Sequence, residues 1–243
     1  MMRTARADVM LCERGFFESR ARAREAIKMG LVSVDGRVIT KASTPVGETA
    51  DIIAAAPYPW VSRGGVKLAH ALAHFSIDPR GRFCLDVGAS TGGFTDVLLA
   101  GDARHVVAVD VGRDQLHAKL RADPRVTSLE SQDLRTLTPA QLGEAPTLVV
   151  IDASFISLAL LLPNVTRLAA SECALVALIK PQFEAGPGAT KKGVVRSENI
   201  HAEVCARIAS EIARHGWRIG ETIPSPISGG DGNREFLIYA AKS

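Results

Sequence analysis

The sequence predicts an α/β protein in which a doubly wound, mostly parallel sheet of seven strands follows a small α+β domain. Two observations support this fold class. From about residue 83 onward, short apolar runs alternate with segments of helical periodicity, which is typical of a sheet covered by helices. Several of these runs are apolar at every position, as expected for parallel strands that are buried on both faces.

The first 56 residues have a different pattern and form the predicted small domain. Its predicted elements are helices at Ala5–Leu11 and Ser19–Met29, a hairpin at Leu31–Ile39 and a short strand at Asp51–Ala54. The hairpin prediction rests on an Asp35-Gly36 pair between two alternating runs, which is a strong signal for a tight two-residue turn. We place an interdomain linker at residues 57–63, where Pro57-Tyr58-Pro59 interrupts regular structure.

Residues 64–243 contain the elements of the predicted sheet. The strand candidates are Phe83–Val87, His105–Val109, Val126–Glu130, Thr147–Ile151, Ala174–Ile179, Trp217–Ile223 and Phe236–Ala240. The clearest helical segments between them are Gly93–Ala100, Leu158–Ala169 and Ile200–His215.

Composition and charge exclude several classes of protein. The 243 residues are 47% hydrophobic and 23% charged, which argues against disorder, collagen and coiled coil. Four widely separated cysteines predict neither a zinc site nor a disulfide framework, so we expect no metal and a cytoplasmic location. We expect no membrane association, because neither a signal peptide nor a long apolar run is found. The net charge of +3 is uneven, since residues 1–45 carry +4.

That positive charge is concentrated on the second predicted helix. Arg20, Arg24 and Lys28 follow i, i+4 spacing and share one helix face, although a run of charges is by itself often a solvated surface. The segment from Ser19 to Gly36 resembles the RNA-binding domain named after ribosomal protein S-four, in which two helices and a hairpin bind structured RNA. The resemblance implies RNA contacts by eight basic residues: Arg3, Arg6, Arg20, Arg22, Arg24, Lys28, Arg37 and Lys41.

A glycine-rich turn follows the first strand of the predicted sheet. Gly88, Gly92 and Gly93 allow tight turning and close approach to a ligand, but their spacing does not match the dinucleotide fingerprint. Asp110 ends the next strand, where a carboxylate can accept both hydroxyls of a ribose, and Asp133 follows the third strand. These features predict an adenosine cofactor without a pyrophosphate.

The turn resembles the cofactor-binding half of the class I methyltransferases, which have a Rossmann-like fold. The resemblance implies S-adenosyl-L-methionine as the cofactor. The residues that it implies for cofactor binding are Asp86, Gly88, Ser90, Thr91, Gly92, Gly93, Phe94, Asp110, Asp133 and Asp152.

Four charged residues lie where such a sheet presents functional groups: Lys67, Asp152, Lys180 and Glu235. Charges beside apolar strands are costly to bury singly, so they are expected to pair, either for structure or for catalysis. Their order resembles the Lys-Asp-Lys-Glu tetrad of the FtsJ-type RNA ribose 2′-O-methyltransferases. With the N-terminal module, the whole chain resembles the TlyA family, whose members are described as ribosomal RNA methyltransferases and carry an old hemolysin label.

The resemblance implies methyl transfer to a cytidine 2′-hydroxyl in ribosomal RNA. Lys180 would act as the base or steer the hydroxyl lone pair, while Asp152 positions it and Lys67 and Glu235 tune it. For the linker, the resemblance implies that Trp60 and Arg63 couple RNA docking to cofactor affinity, against the alternative of a tryptophan packed at a junction.

Three other functions remain to be weighed against this one. A non-catalytic RNA-binding or ribosome-assembly factor would need neither the tetrad nor the glycine turn. A membrane-active hemolysin would need a span or an amphipathic helix, which the sequence lacks. A nicotinamide dehydrogenase is disfavoured by the spacing of the glycines.

Overall fold

The chain divides into two compact units, Met1–Pro59 and Trp60–Ser243. A computed structural model describes residues 3–186 and 188–242 of the sequence. Each unit has its own hydrophobic core: Met10, Leu11 and Ile27 are central to the first, and the apolar strands of a sheet form the second.

The N-terminal unit is built from two helices and two small sheets. Its elements are β1 (Thr4–Arg6), α1 (Ala7–Glu13), α2 (Arg20–Lys28), β2 (Val32–Val34), β3 (Arg37–Val38), β4 (Pro45–Gly47) and β5 (Ile52–Ala54). The strands pair as β1-β4 and as β3-β2-β5. Ser19 accepts a hydrogen bond from the amide of Arg22 and so caps α2, as predicted.

One N-terminal prediction is wrong at its boundary. A strand occupies Thr4–Arg6 and the helix begins only at Ala7, whereas the sequence pattern placed Ala5 in the helix. The cause is tertiary, because Ala5 pairs with Val46 of β4, a strand that the sequence pattern did not indicate.

The C-terminal unit is the predicted α/β sheet. Its elements are α3 (Gly64–His74), β6 (Phe83–Val87), α4 (Gly93–Ala100), β7 (His105–Val109), α5 (Ala118–Arg121), β8 (Val126–Leu129), α6 (Pro139–Leu142), β9 (Leu148–Ile151), α7 (Leu162–Leu168), β10 (Cys173–Ile179), α8 (Pro181–Glu184), α9 (Glu198–Arg214), β11 (Arg218–Pro224) and β12 (Phe236–Lys242). Short 3-10 helices cover Leu134–Thr136 and Leu158–Leu160.

The seven strands are ordered β11-β12-β10-β9-β6-β7-β8. Strands β6 to β10 run parallel, and β12 is antiparallel to both of its neighbours, β10 and β11. The chain enters the sheet at β6, adds β7 and β8 on one side and then β9 and β10 on the other. The strand order therefore reverses between β6 and β9, which is where open α/β sheets bind ligands.

Two helices differ from the sequence prediction. The segment predicted as one helix over Leu158–Ala169 is a 3-10 turn followed by α7, because Pro163, in the first turn of α7, has no amide hydrogen to continue a helix from the preceding residues. Helix α3 was not predicted, since it opens with Gly64-Gly65, although Leu68, Ala71 and Leu72 carry the spacing of a buried helix face.

Candidate active site

A cavity of about 500 Å³ lies at the carboxyl ends of β6, β7 and β9. Its wall includes, among the predicted site residues, Gly88, Ser90, Asp110, Asp133 and Asp152. The walls are also apolar, through Val87, Val109, Val111, Ala153 and Leu161. A mostly apolar cleft with a few polar groups at the switch point suits a small organic ligand.

Gly88 is required by the close approach of two strand ends. Its φ is +80°, and a Cβ there would lie 2.8 Å from the backbone oxygen of Asp152. The Asp152 amide donates to the carbonyl oxygen of Val87 at 2.9 Å, so β6 and β9 stay in contact beyond their paired residues. Glycine at this position therefore lets the ends of β6 and β9 lie close together where they line the cavity.

Asp110 organises the turn after β6. Its carboxylate oxygens accept hydrogen bonds from the backbone amides of Ser90 and Gly112, both at 2.7 Å. Ser90 has a φ of +48°, so this side-chain contact stabilises an uncommon backbone conformation. Asp110 thus holds two loops of the cavity rim in place.

Asp86 lies fully buried in β6, next to the turn. Its Oδ2 accepts a 2.6 Å hydrogen bond from the Thr95 hydroxyl, while Oδ1 has no hydrogen-bond partner among the described residues. Burial raises the pKa of Asp86 to about 7; the Thr95 hydrogen bond opposes this shift, and the nearby Asp152 carboxylate adds to it. The carboxyl group therefore titrates near neutral pH.

The raised pKa of Asp86 predicts that the free energy of unfolding decreases between about pH 4 and pH 7. In this range the folded protein holds a proton that the unfolded chain, with an ordinary pKa near ~3.9, has released. We expect a slope of about 1.4 kcal/mol per pH unit from this group. Chemical denaturation of wild type and Asp86→Asn across pH 4–8 measures the difference, and parallel curves would contradict the prediction.

Lys180 forms the first ion pair of the site, with Asp152. Its Nζ lies 2.6 Å from Asp152 Oδ1, as an ion pair outside hydrogen-bonding geometry, and donates to Ser154 Oγ at 2.7 Å. A longer contact of 3.4 Å joins it to the backbone oxygen of Asp152. Pro181 follows directly and begins α8, which restricts the backbone of Lys180 to an extended conformation. The ammonium group is thereby fixed at the end of β10.

Lys67 and Glu235 form the second ion pair. Lys67 Nζ donates to Glu235 Oε2 at 2.6 Å, and both side chains are more than nine-tenths buried. Glu235 precedes β12, whose first residue, Phe236, pairs with Ile179 of β10. Because β12 is antiparallel, its start lies beside the end of β10, so Glu235 reaches the edge that carries Lys180.

Two contacts of the α3 N-terminus connect the ion pairs. A Cβ on Gly64 would lie 3.6 Å from Asp152 Oδ2, so the first turn of α3, which carries Lys67, passes close to the Asp152 carboxylate. Arg63 donates to the backbone oxygen of Ser228, in the loop before Glu235. All four residues of the predicted tetrad therefore lie at one edge of the sheet. They form two ion pairs, each of which joins a lysine to a carboxylate.

The remaining predicted cofactor residues lie around the turn. Gly92 has a φ of +93° and caps α4, and Gly93 has no room for a Cβ because Ser62 and Gly65 lie against it. Phe94 packs into the hydrophobic core. The exposed Thr91 accepts from the His117 amide through its backbone oxygen. Asp133 caps a 3-10 helix and pairs with Arg135 at 2.6 Å, which lowers the pKa of its carboxyl group.

Sequence reasoning missed three residues beside the tetrad. Ser154 contacts Lys180, and Phe155 is 89% exposed with a φ of +62° at the cavity rim. Its ring lies 4.9 Å from that of Phe183, measured between centroids. An exposed aromatic residue in a strained conformation is a usable signal of function, but only a structure shows the exposure and the strain.

In the N-terminal unit, one buried carboxylate gathers three of the predicted RNA-binding arginines. Asp8 has no exposed surface, and its oxygens contact Arg6 at 3.0 Å, Arg20 at 3.1 Å and Arg24 at 2.7 Å. Burial alone would raise the pKa of Asp8, but the arginine hydrogen bonds outweigh it and hold the pKa well below its usual range. The guanidinium groups remain about half exposed, which leaves them able to meet a ligand.

The other five basic residues have separate surroundings. Arg3 pairs with Glu13 at 2.8 Å, and Arg22 donates to the backbone oxygen of Tyr58 and lies over its ring. The side chains of Lys28, Arg37 and Lys41 are exposed. The N-terminal unit therefore carries both a cluster of three arginines around Asp8 and exposed basic side chains outside that cluster.

Residues 3–186 and 188–242 contain neither a candidate membrane span nor a cluster of metal-binding side chains. No helix there is long and apolar enough to cross a membrane. No three histidine, cysteine, aspartate or glutamate side chains in those ranges are grouped so that they could hold a metal ion.

Comparison with known proteins gives matches over both units. Residues 60–242 match the FtsJ-like methyltransferase family, and residues 5–52 match the S4 domain. The 16S/23S rRNA (cytidine-2'-O)-methyltransferase TlyA of Mycobacterium tuberculosis is 44% identical over 98% of this chain and 90% of its own length. The solved structure of a provisionally named hemolysin from Streptococcus thermophilus covers all of this chain and 90% of that one, with a TM-score of 0.79 and 38% identity.

A more distant structure shares the fold alone. It is the magnesium protoporphyrin IX methyltransferase of Synechocystis, which is 15% identical with a TM-score of 0.51, and covers 74% of this chain and 79% of its own. The matches confirm the predicted resemblance and the α/β fold class.

Proposed function

The chain belongs to the FtsJ-like methyltransferase family, and on that basis we propose that it methylates the ribose 2′-hydroxyl of a cytidine in ribosomal RNA with S-adenosylmethionine. One observation carries the proposal: the Lys180–Asp152 and Lys67–Glu235 pairs meet at the edge of the sheet that holds the cavity. RNA binding alone requires neither of these buried lysines.

The cavity suits S-adenosylmethionine in size and chemistry. Gly88 and Ser90 line the cavity, and Val111 and Leu134 give apolar surface for an adenine ring. The Asp110 carboxylate can accept ribose hydroxyls in exchange for one of its backbone contacts. When bound there, this cofactor supplies an electrophilic methyl group on a sulfonium. The carboxylates of the cavity wall, Asp110 and Asp152 among them, favour a cation.

Lys180 orients the hydroxyl that receives the methyl group. Its ammonium has three donors, and the 3.4 Å contact to the backbone oxygen of Asp152 is the weakest of its interactions. Exchange of that contact for the ribose oxygen turns an oxygen lone pair toward the methyl carbon. When the hydroxyl loses its proton, Lys180 Nζ would take that proton and pass one of its own to Asp152 Oδ1, 2.6 Å away, because an ammonium has no lone pair with which to accept a fourth proton.

The Lys67–Glu235 ion pair adds no net charge beside Lys180 and Asp152, and its burial excludes water from this edge of the sheet. Lys67 and Glu235 are buried and neutralise each other, so the site presents no net charge to the ribose. Phe155, exposed at the rim beside Phe183, gives an aromatic surface on which the base of the target nucleotide can stack.

The N-terminal unit is proposed to dock the ribosomal RNA or a ribosomal subunit, with 1–56 as RNA-binding domain, 57–63 as linker and 64–243 as catalytic domain. Its arginines and lysines suit phosphate binding. A cytoplasmic location follows from a ribosomal substrate.

The linker is proposed to couple RNA docking to cofactor binding. Trp60 packs on Gly65 at the start of α3, and the Val61 amide donates to Asp96 Oδ2 on α4 at 2.9 Å. Both helices begin beside the glycine turn, so a shift of this segment would reach the cofactor cavity.

Trp60→Ala is therefore expected to weaken cofactor affinity by about 5-fold or more, a coupling of ~1 kcal/mol, and to slow RNA methylation. Calorimetry of cofactor binding and methyl incorporation measure the two effects, with Trp60→Phe as the conservative control. Unchanged values for Trp60→Ala would remove the linker from the mechanism.

The proposed function is tested by mapping 2′-O-methyl positions in ribosomal RNA from cells with and without the gene, and by methyl incorporation with purified protein. A cytidine that is methylated only when the gene is present supports the proposal. RNA binding without any methyl transfer would instead favour the non-catalytic assembly factor. Dye release from liposomes would favour the hemolysin.

A further inference from the structure

A short hairpin between α8 and α9 carries positive charge next to the tetrad. We call residues 190–196 the lysine arm. Lys191 and Val194 exchange both backbone hydrogen bonds, at 3.0 and 3.2 Å. Between them, Lys192 and Gly193 have φ values of +54° and +79°, which is the geometry of a tight two-residue hairpin turn. The tip of the arm is thus a defined turn that presents two lysines.

Asn233 ties the lysine arm to the active site. This side chain is completely buried; its Nδ2 donates to the Gly193 carbonyl oxygen at 2.9 Å and its Oδ1 accepts from the Val195 amide at 3.0 Å. Asn233 stands two residues before Glu235, and its backbone carbonyl accepts a hydrogen bond from the Gly229 amide. Gly229 is close to the Glu235 carboxylate, because a Cβ on Gly229 would lie 2.6 Å from Glu235 Oε1. One buried amide therefore fixes the arm relative to the catalytic carboxylate.

The positive charge of the lysine arm is not balanced. Lys191, Lys192 and Arg196 are exposed, and none of them forms an ion pair with a described residue. By contrast, Arg234, which follows Asn233 directly, is paired with Glu198 at 2.8 Å. Three uncompensated cations on one short arm beside the candidate active site form a surface that attracts a polyanion.

We propose that the lysine arm binds backbone phosphates of the RNA strand that enters the active site, and that Asn233 positions it. The inference rests on the proposed function and adds a phosphate contact within the catalytic unit. Lysines act as point charges on phosphates, and the tip carries no aromatic side chain that could stack on a base, so the contact would position the strand without reading its sequence.

The test uses the full-length protein with Lys191→Gln and Lys192→Asn combined. Asparagine is chosen at 192 because it tolerates the positive φ, so the turn is kept. Loss of two phosphate contacts is expected to reduce the slope of log affinity for RNA against log salt by about 1.4–1.8. The KM for RNA should rise about tenfold at constant kcat, a loss of ~1.4 kcal/mol, with unchanged cofactor affinity.

The matched control is Arg80→Gln combined with Arg104→Gln. It removes the same charge just before β6 and β7, at the opposite edge of the sheet, where both arginines form exposed ion pairs. An arm variant whose salt slope and KM equal those of this control would overturn the proposal while the methyltransferase function stands. If the wild-type protein transfers no methyl group but binds RNA more tightly than the arm variant does, the proposed function is wrong and the proposal for the lysine arm stands.

Discussion

Lys180→Ala is expected to reduce methyl transfer to RNA by about 10²–10⁴-fold, the usual contribution of a group that handles a proton in the transition state. The loss should fall on kcat, because Lys180 is not itself part of the cavity wall that would hold the cofactor and touches that wall only through Asp152 and Ser154. Calorimetry of cofactor binding should therefore give nearly the wild-type affinity. Methyl incorporation into ribosomal RNA under single-turnover conditions measures the chemical step.

Two companion variants separate chemistry from structure. Ser154→Ala removes one hydrogen bond of the lysine and is expected to lower the rate less than Lys180→Ala does, since the Asp152 ion pair remains. Lys180→Met keeps the length of the side chain and limits the cavity at the end of β10. If Lys180→Met were folded and turned over at near-normal rate, the lysine would have no part in the reaction.

Asp8→Ala is expected to destabilise the N-terminal unit by about 2–3 kcal/mol, the worth of hydrogen bonds to a charged group. A module of this size has only about 3–5 kcal/mol to lose, so the substitution removes most of its stability. RNA affinity should fall as well, because Arg6, Arg20 and Arg24 lose the carboxylate that holds them together. Hydrogen exchange of α1 and α2 reports the local unfolding.

The Asp8 carboxylate also makes the stability of this unit decrease at low pH. The pKa of Asp8 is lowered in the folded state, so its stabilising contribution is present above the unfolded pKa near ~3.9 and is lost as the pH falls below it. Glu13→Gln is the control, since the Arg3–Glu13 pair is exposed and should be worth less than about 1 kcal/mol. Equal destabilisation by both substitutions would contradict a special role for Asp8.

The sheet and its site were predictable because they depend on patterns local in sequence. Apolar runs such as Leu148–Ile151 identify buried strands, and Asp110, Asp152 and Lys180, each directly after such a run, lie at one edge of the sheet. Lys67 and Glu235 were predictable from their motifs, but their mutual contact spans 168 positions and depends on the antiparallel β12.

Other features depend on contacts that no local pattern encodes. Nothing about Asp8 in the sequence distinguishes it from an exposed aspartate; its burial follows from the packing of α1 on α2. Phe155 likewise reads as one more apolar residue in a loop, and only its exposed position beside the cavity marks it. Strand β1 was missed because its partner, β4, lies about 40 residues further along the chain.

The place of β12 also determines when this protein can begin to work. Among the described residues it is the last strand in sequence, yet it lies inside the sheet, between β10 and β11, and it is preceded by Glu235. During synthesis, the cavity walls and Lys180 emerge first, but the second ion pair cannot close until residues 235–242 have been made. Nascent chains that end before residue 235 therefore lack the second ion pair of the predicted tetrad, and we expect methylation to start only after this strand has inserted.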